Sequence, residues 1–180
     1  MTNPFSTGQG GAFFETSVQT AYVLNFILNS RIPFLPEGQV QWIKLQGRND
    51  GFQTDDFVLC SKSDEKEYKL LAQIKRDISI NSNTEEFNKV IKEFWVDFNN
   101  PNVYNKQNDI LVLIKGGLLK SDKNIKTVLD WAKTTSDYKE FLQKFNVGKQ
   151  KVYNEFQKAL NIANESTLNE EQIWSFLRKF

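Results

Sequence analysis

Histidine is absent from this chain of 180 residues, and cysteine occurs once, as Cys60. Without histidine the chain cannot build a Ser-His-Asp triad, a Cys-His pair or the usual histidine-containing zinc sites. A single cysteine also excludes an internal disulfide. If the protein is an enzyme, we therefore expect its chemistry to use carboxylates, lysine and a hard cation such as Mg²⁺ bound through oxygen.

Long apolar runs and a large net charge are missing too. No stretch approaches the roughly 20 apolar residues that a membrane helix needs. The net charge is +1, so attraction to nucleic acid must come from a local patch. The first residues, "MTNPFSTGQGG", lack the basic and apolar regions of a signal peptide. We therefore expect a cytoplasmic protein with no membrane partner.

The apolar periodicity predicts an α/β fold. The order is a helix, three short strands, a helix, a strand and then helices only, which implies a restriction-endonuclease-like mixed sheet of about four strands flanked by helices. Short connections predict that the first three strands form a meander. The predicted strands cover 39–46, 56–61, 68–75 and 109–117, and the predicted helices cover about 12–30, 84–99, 122–133, 136–145, 149–164 and 169–180.

Two parts follow from this order. We expect residues 1–120 to form the core, and residues 121–180 to form a helical extension packed on it. The last predicted helix keeps apolar residues up to Phe180. Two interpretations stay open at this point: a docked final helix, or a domain that continues into a further C-terminal region.

Polar residues interrupt the second and third predicted strands at one end of the sheet. Asp55 and Asp56 open the second strand, and Gln73 and Lys75 lie two residues apart in the third, so their side chains leave one face. Glu15, on the first helix, can reach the same place. Which aspartate joins them depends on the strand register, which the sequence does not fix.

This combination suits metal-assisted phosphodiester hydrolysis. Asp55, Asp56, Glu15 and the Gln73 carbonyl would hold Mg²⁺ or Mn²⁺, which lowers the pKa of a bound water and offsets charge on the phosphorane. Lys75 would position the water or stabilise the developing charge. Three further residues are candidate substrate contacts or supports: Arg76, Lys44 and Gln19.

An acidic residue at a strand start, followed on the next strand by Gln73-Ile74-Lys75, resembles the PD-(D/E)XK nuclease signature in the Gln-x-Lys form of Mrr-type restriction endonucleases. It is also similar to the double-stranded DNA endonuclease domains of bacterial antiphage proteins, among them CD-NTase-associated effectors and the effectors fused to antiviral STAND-type NTPases. In such domains the glutamate of a Gly-x-x-Phe-Glu motif on the first helix often joins the site. In this chain that glutamate is Glu15. The resemblance covers about residues 10–117.

The resemblance implies a Mg²⁺-dependent endonuclease that cuts DNA, with double-stranded DNA favoured, as an effector in antiviral defence. It also implies activation through a homo-oligomer or through clustering by a fused or missing C-terminal region. The chain departs from the pattern in two places, because Thr54 replaces the proline and Gln73 replaces the commoner acid.

Two other functions stay open. The first is a catalytically dead nucleic-acid-binding module, which the neutral Gln73 motivates. The second is a protein-interaction scaffold, which predicts an exposed apolar groove and no acidic group near Lys75. Each candidate residue also has a structural interpretation: Asp55 and Asp56 as turn acids, Lys75 as a strand-end lysine and Glu15 as a first-turn helix acid.

Overall fold

A computed structural model describes residues 9–117 and 122–180. The predicted α/β fold with a four-stranded mixed sheet is confirmed. Strand and helix ends fall within a few residues of their predicted positions. The elements are α1 (Gln9–Ile27), β1 (Gln39–Leu45), a 3-10 turn (Gly47–Asp50), β2 (Phe57–Ser63), β3 (Lys66–Lys75), α2 (Glu85–Phe98), β4 (Ile110–Lys115), α3 (Asp122–Thr134), α4 (Tyr138–Gln143), α5 (Val147–Asn164) and α6 (Glu170–Leu177).

The sheet has the strand order β1-β2-β3-β4. The β1–β2 and β2–β3 pairs are antiparallel, as the predicted meander requires, and the β3–β4 pair is parallel. β1, β3 and β4 therefore run in one direction and β2 runs against them. Their carboxyl ends meet the amino end of β2 at one edge, marked by Leu45, Phe57, Lys75 and Lys115, which we call the site edge.

A β-bulge interrupts β1 near its start. Val40 pairs with Ser61 and Trp42 pairs with Cys60, so Gln41 has no counterpart on β2. The extra residue reverses the alternation of side chains along the strand. As a result, Val40 and Ile43 both pack on the face that α1 covers.

The described residues divide into two compact units. The first holds residues 9–77 and 100–117, which are α1 and the sheet. Its core lies between α1 and one face of the sheet, where alternate residues of β2 and β3 point inward. The buried members of this core are Tyr22, Ile32, Leu35, Val40, Phe57, Leu59, Leu70, Ala72 and Ile74.

The length of α1 depends little on burial at its carboxyl end. Tyr22 is buried, but Leu24, Ile27 and Leu28 of the predicted apolar stripe are exposed. The helix ends at Ile27, and Asn29 adopts a left-handed backbone with φ 49°.

The second unit holds residues 78–99 and 122–180. Its core is aromatic, with edge-to-face pairs of phenylalanine rings such as Phe87–Phe156 and Phe98–Phe176, whose centroids are both 5.4 Å apart. This confirms the prediction that the α2 aromatics are core. The apolar residues of α6 and Phe180 are buried as well.

Thr84 precedes α2, a position where threonine often caps a helix, but its side chain does not cap this one. Its hydroxyl donates to the carbonyl of Asn81 at 2.7 Å instead of accepting from a helix N–H. Glu85 and Glu86 occupy the first turn, where the helix dipole favours negative charge. In the part of the chain that the structure describes, every helix falls short of the length and apolar character needed to cross a membrane.

Candidate active site

Asp56 and Lys75 meet at the site edge. Asp56 comes directly before Phe57, which pairs with Ala72, so the β2–β3 register puts Asp56 beside Gln73. The Nζ atom of Lys75 lies 3.1 Å from Oδ2 of Asp56, and the same oxygen accepts from the backbone N–H of Ile74. The pair is only partly exposed, at 12% for the Asp56 side chain and 24% for Lys75. Of the two aspartates that the sequence left open, Asp56 is therefore the one that contacts Lys75.

Asp55 contacts the 3-10 turn that follows β1. Its carboxylate lies 3.6 Å from Nε of Arg48, and its backbone carbonyl accepts from the N–H of Gly47 at 2.9 Å. Gly47 lies so close to this segment that a Cβ atom there would approach the Thr54 carbonyl oxygen to 2.7 Å. The 3-10 turn thus holds the start of β2 through backbone contacts that only glycine permits.

Glu15 reaches the site from α1 through Gln19. The Nε2 atom of Gln19 donates to Oε1 of Glu15 at 3.2 Å and to the backbone carbonyl of Asp56 at 2.8 Å. One amide group therefore ties the helix carboxylate to the start of β2. Gln19 thus makes the hydrogen bonds that a supporting residue one helical turn from Glu15 would make, and its role in a site stays a prediction.

The electrostatics of Glu15 also place it with the other acids. Burial, and after it the nearby Asp56 carboxylate, raise the pKa of Glu15 above its usual range, while Lys75 and the Gln19 hydrogen bond act in the opposite direction. Asp55 adds a smaller effect that raises the pKa. A carboxylate whose charge is disfavoured by burial and by a neighbouring carboxylate is in an environment that a bound cation would relieve.

Gln73 is buried, with 1% of its surface exposed, and it interacts with neighbouring residues. Gln73 and Lys75 leave the sheet on the face opposite α1, because Ala72 and Ile74 belong to the α1 core. The predicted common face of Gln73 and Lys75 is therefore confirmed.

Lys44 and Arg76 lie at the site edge, and each forms an ion pair with an acid outside the Asp56 cluster. Lys44 contacts Asp50 at 2.7 Å, and Nε of Arg76 lies 3.7 Å from Asp77.

Two cations at this edge were missed by sequence reasoning. Arg48 lies in a segment that was predicted only as a turn. Lys115 ends β4 and pairs in register with Lys75. The sequence shows a lysine at or near the end of the predicted strands 68–75 and 109–117, but it does not show that these strands are parallel neighbours.

The donor atoms at this edge fit a magnesium ion that keeps part of its water shell. Within 9–117 and 122–180, no three His, Cys, Asp or Glu side chains form a group that could hold a metal alone. Mg²⁺ does not require one, since it commonly binds one or two carboxylates together with waters and phosphate oxygens. In the described residues, Oδ1 of Asp56 and Oε2 of Glu15 accept no hydrogen bond, so each has a lone pair to offer.

A scan against protein-family models, a search of the curated proteins and a search of the solved structures each give no match to this chain. The functional argument therefore depends on the residues of the site edge.

Proposed function

We propose that this protein is a Mg²⁺- or Mn²⁺-dependent endonuclease that hydrolyses DNA phosphodiester bonds, with double-stranded DNA as its substrate. The observation that carries the proposal is the contact between Lys75 and Asp56, with Glu15 tied to the same strand start by Gln19. A carboxylate pair with an adjacent ammonium group suits phosphoryl chemistry. The carboxylates attract a metal cation, and the lysine ammonium reduces the repulsion between the carboxylates and the phosphate.

Each residue has a distinct role in this proposal. Asp56 and Glu15 would hold the cation, with Asp55 and the Gln73 carbonyl as further candidates. The cation would supply Lewis-acid stabilisation of the phosphate charge. Lys75 uses two contacts, to Asp56 and to the Ile74 carbonyl at 3.2 Å, and an ammonium group has three protons. Its third proton can donate to the attacking water or to a phosphate oxygen.

The biological setting is part of the same proposal. We place the protein in the bacterial cytoplasm as an antiviral effector, on the resemblance of its Gln73-Ile74-Lys75 motif and its Glu15 helix to antiphage nuclease domains. A net charge of +1 gives little affinity for DNA, since affinity follows the number of phosphates neutralised. Activation by self-association or clustering would raise that affinity. A monomer with high turnover on its own would contradict this part.

The test is the nicking of supercoiled plasmid in Mg²⁺ or Mn²⁺. Asp56→Asn and Lys75→Ala should each lower the nicking rate by about 100-fold or more, because each removes charge from the reacting centre. Lys66→Ala is the matched control, since Lys66 begins the strand that Lys75 ends. Thermal unfolding of each variant checks that the fold persists. Equal nicking by all four proteins would indicate a contaminant and sink the assignment.

A catalytically dead nucleic-acid-binding module is the second candidate. Two observations favour it: Gln73 is neutral, and the described residues hold no three-ligand acidic group. It predicts DNA binding with no nicking by any variant in either metal. The scaffold alternative has less support, because it predicts no acid near Lys75, where Asp56 lies.

A further inference from the structure

Basic residues stand on both sides of the acidic pair along the site edge. The order across the sheet is Lys44 and Arg48 at β1, Asp55 and Asp56 at β2, Lys75 and Arg76 at β3, and Lys115 at β4. This alternation follows from strand direction. β2 is the one strand that contributes its amino end to this edge, and its amino end carries the acids. The other three strands contribute carboxyl ends, which carry the cations.

Register and face bring the cations together. Lys75 and Lys115 are partners in the parallel β3–β4 pairing, so their side chains lie side by side on one face. Lys44 pairs with Val58, which alternates with the inward-facing Phe57 and Leu59. Lys44 therefore leaves on the same face as Lys75. Neighbouring strands are about 4.8 Å apart, so the distance from β1 to β4 is about 15 Å.

The existing ion pairs of these cations do not prevent binding to another anion. Lys44, Arg48 and Arg76 pair with Asp50, Asp55 and Asp77, and these three cationic side chains are 37%, 49% and 47% exposed. Surface ion pairs of this kind contribute about 0–1 kcal/mol each. A phosphate can therefore replace the carboxylate partner at little cost.

We infer that the site edge is a track for a nucleic-acid backbone that crosses the sheet from β1 to β4, with one phosphate at Asp56 and Lys75 and flanking phosphates on Arg48 and Lys115. This deepens the proposed nuclease function, on which it rests. Measured along the duplex axis, about 15 Å corresponds to roughly four base pairs, at about 3.4 Å each. The contacts are to phosphates, so the track gives no base-sequence preference.

The test is the binding of a fluorescent random-sequence duplex by the full chain, without divalent metal, over a range of salt concentrations. Arg48→Ala and Lys115→Ala should each weaken binding by up to about eightfold at 0.1 M salt and reduce the slope of log K against log salt by about 0.9. Lys66→Ala removes the same charge from the opposite end of β3 and should change neither value. The double variant Arg48→Ala/Lys115→Ala should lower the slope by about twice as much.

Three outcomes overturn the track: a wild-type chain that binds no duplex at low salt, a slope unchanged by Arg48→Ala and Lys115→Ala, or an equal loss in Lys66→Ala. Failure of the track differs from failure of the nuclease proposal. If Asp56→Asn abolishes plasmid nicking but Lys115→Ala leaves duplex binding unchanged, the nuclease proposal is supported and the track is rejected. If the slopes change as expected and no variant nicks, the track stands and the protein is a binding module.

Discussion

Two lysine–aspartate pairs lie at opposite halves of β3, and they differ in how many oxygens of the aspartate carboxylate accept hydrogen bonds. Lys69 pairs with Asp109 at 3.2 Å, and Lys75 pairs with Asp56 at 3.1 Å. Asp109 is 1% exposed. Its Oδ1 accepts from the N–H of Lys69, and its Oδ2 accepts from the N–H of Asn105. Among the described residues, Asp56 accepts hydrogen bonds through Oδ2 alone, and a second carboxylate, Glu15, lies nearby.

The difference separates a structural acid from a candidate catalytic one. Both carboxylate oxygens of Asp109 serve the fold: they hold the loop before β4, and Lys69 in turn donates to the carbonyl of Val103. A carboxylate occupied in this way has little to offer a ligand. Asp56 keeps one oxygen open beside a second acid and an ammonium group. An acid–lysine contact alone is therefore weak evidence for a site, and the unused lone pair is the informative feature.

The largest effect on stability should come from Asp109. Asp109→Ala removes the partner of a buried charge and of two backbone N–H groups, and we expect it to lower the free energy of unfolding by about 3–5 kcal/mol. Asp56→Ala should cost about 1–2 kcal/mol, because its loss also relieves repulsion with Glu15. Urea unfolding of both variants measures the difference. Equal losses would erase the distinction between the two pairs.

The next effect concerns Gln19, which connects Glu15 to the Asp56 carbonyl. Gln19→Ala should weaken Mn²⁺ binding about tenfold, as is typical when a group that orients a metal-binding carboxylate is removed. A titration followed by the Mn²⁺ paramagnetic resonance signal measures this without any need for catalysis. Thr20→Ala is the control, since Thr20 is the next residue of α1 and is exposed. Identical affinities in the two variants would reduce Gln19 to a helix surface residue.

A carboxylate of the second unit extends the comparison to pH. The Glu155 carboxylate accepts two hydrogen bonds from Ser82, one from the backbone N–H at 2.8 Å and one from the hydroxyl at 2.6 Å. These bonds hold the pKa of Glu155 below its usual range. A depressed folded-state pKa stabilises the fold above the unfolded value of about 4.3, and the contribution is lost as pH falls through the folded value.

Glu155→Gln keeps the shape and removes the charge. We expect it to cost about 1–2 kcal/mol at pH 7 and less at a pH below the unfolded value of about 4.3, because the wild type loses this contribution as Glu155 takes up a proton. Urea unfolding at both pH values gives the two differences. A cost that does not change with pH would show that the charge of Glu155 is irrelevant to these hydrogen bonds.

The smallest effect should come from the exposed pair Lys126–Asp130 on α3. Their charged atoms are 2.5 Å apart, closer than in either β3 pair, but the side chains are 78% and 50% exposed. Lys126→Ala should therefore change the free energy of unfolding by less than about 0.5 kcal/mol. If Lys126→Ala lowered the free energy of unfolding as much as Asp109→Ala, the strength of the three pairs would follow the distance between the charged atoms. It would then not follow burial or the number of hydrogen bonds that each aspartate accepts.

The sequence predicted the fold well because its strands and helices have strong and separate periodicities. The run 109–117 and the aromatic stripe of 84–99 each allow one interpretation, and β4 and α2 lie there. The choice between Asp55 and Asp56 could not be made, because it depends on a register that pairing with β3 fixes. The role of Thr84 was also beyond prediction, since the local turn captures its hydroxyl.

Strand direction explains what was missed at the site. Lys115 lies beside Lys75 because β4 is parallel to β3 and ends level with it, which brings together two lysines that are far apart in the chain. The position of Arg48 depends on the close approach of its neighbour Gly47 to Thr54. Composition does not reveal this backbone arrangement.

The single extra residue in β1 decides which chemistry the first strand presents. Were the bulge absent and Gln41 seated opposite Cys60, each later residue of β1 would move on by one partner, and Lys44 would stand opposite Phe57 instead of Val58. Lys44 would then turn toward the apolar layer beneath α1, while Ile43 turned outward. One irregular peptide unit, a few residues away, thus decides whether the first strand offers a charge or a hydrocarbon to an approaching anion.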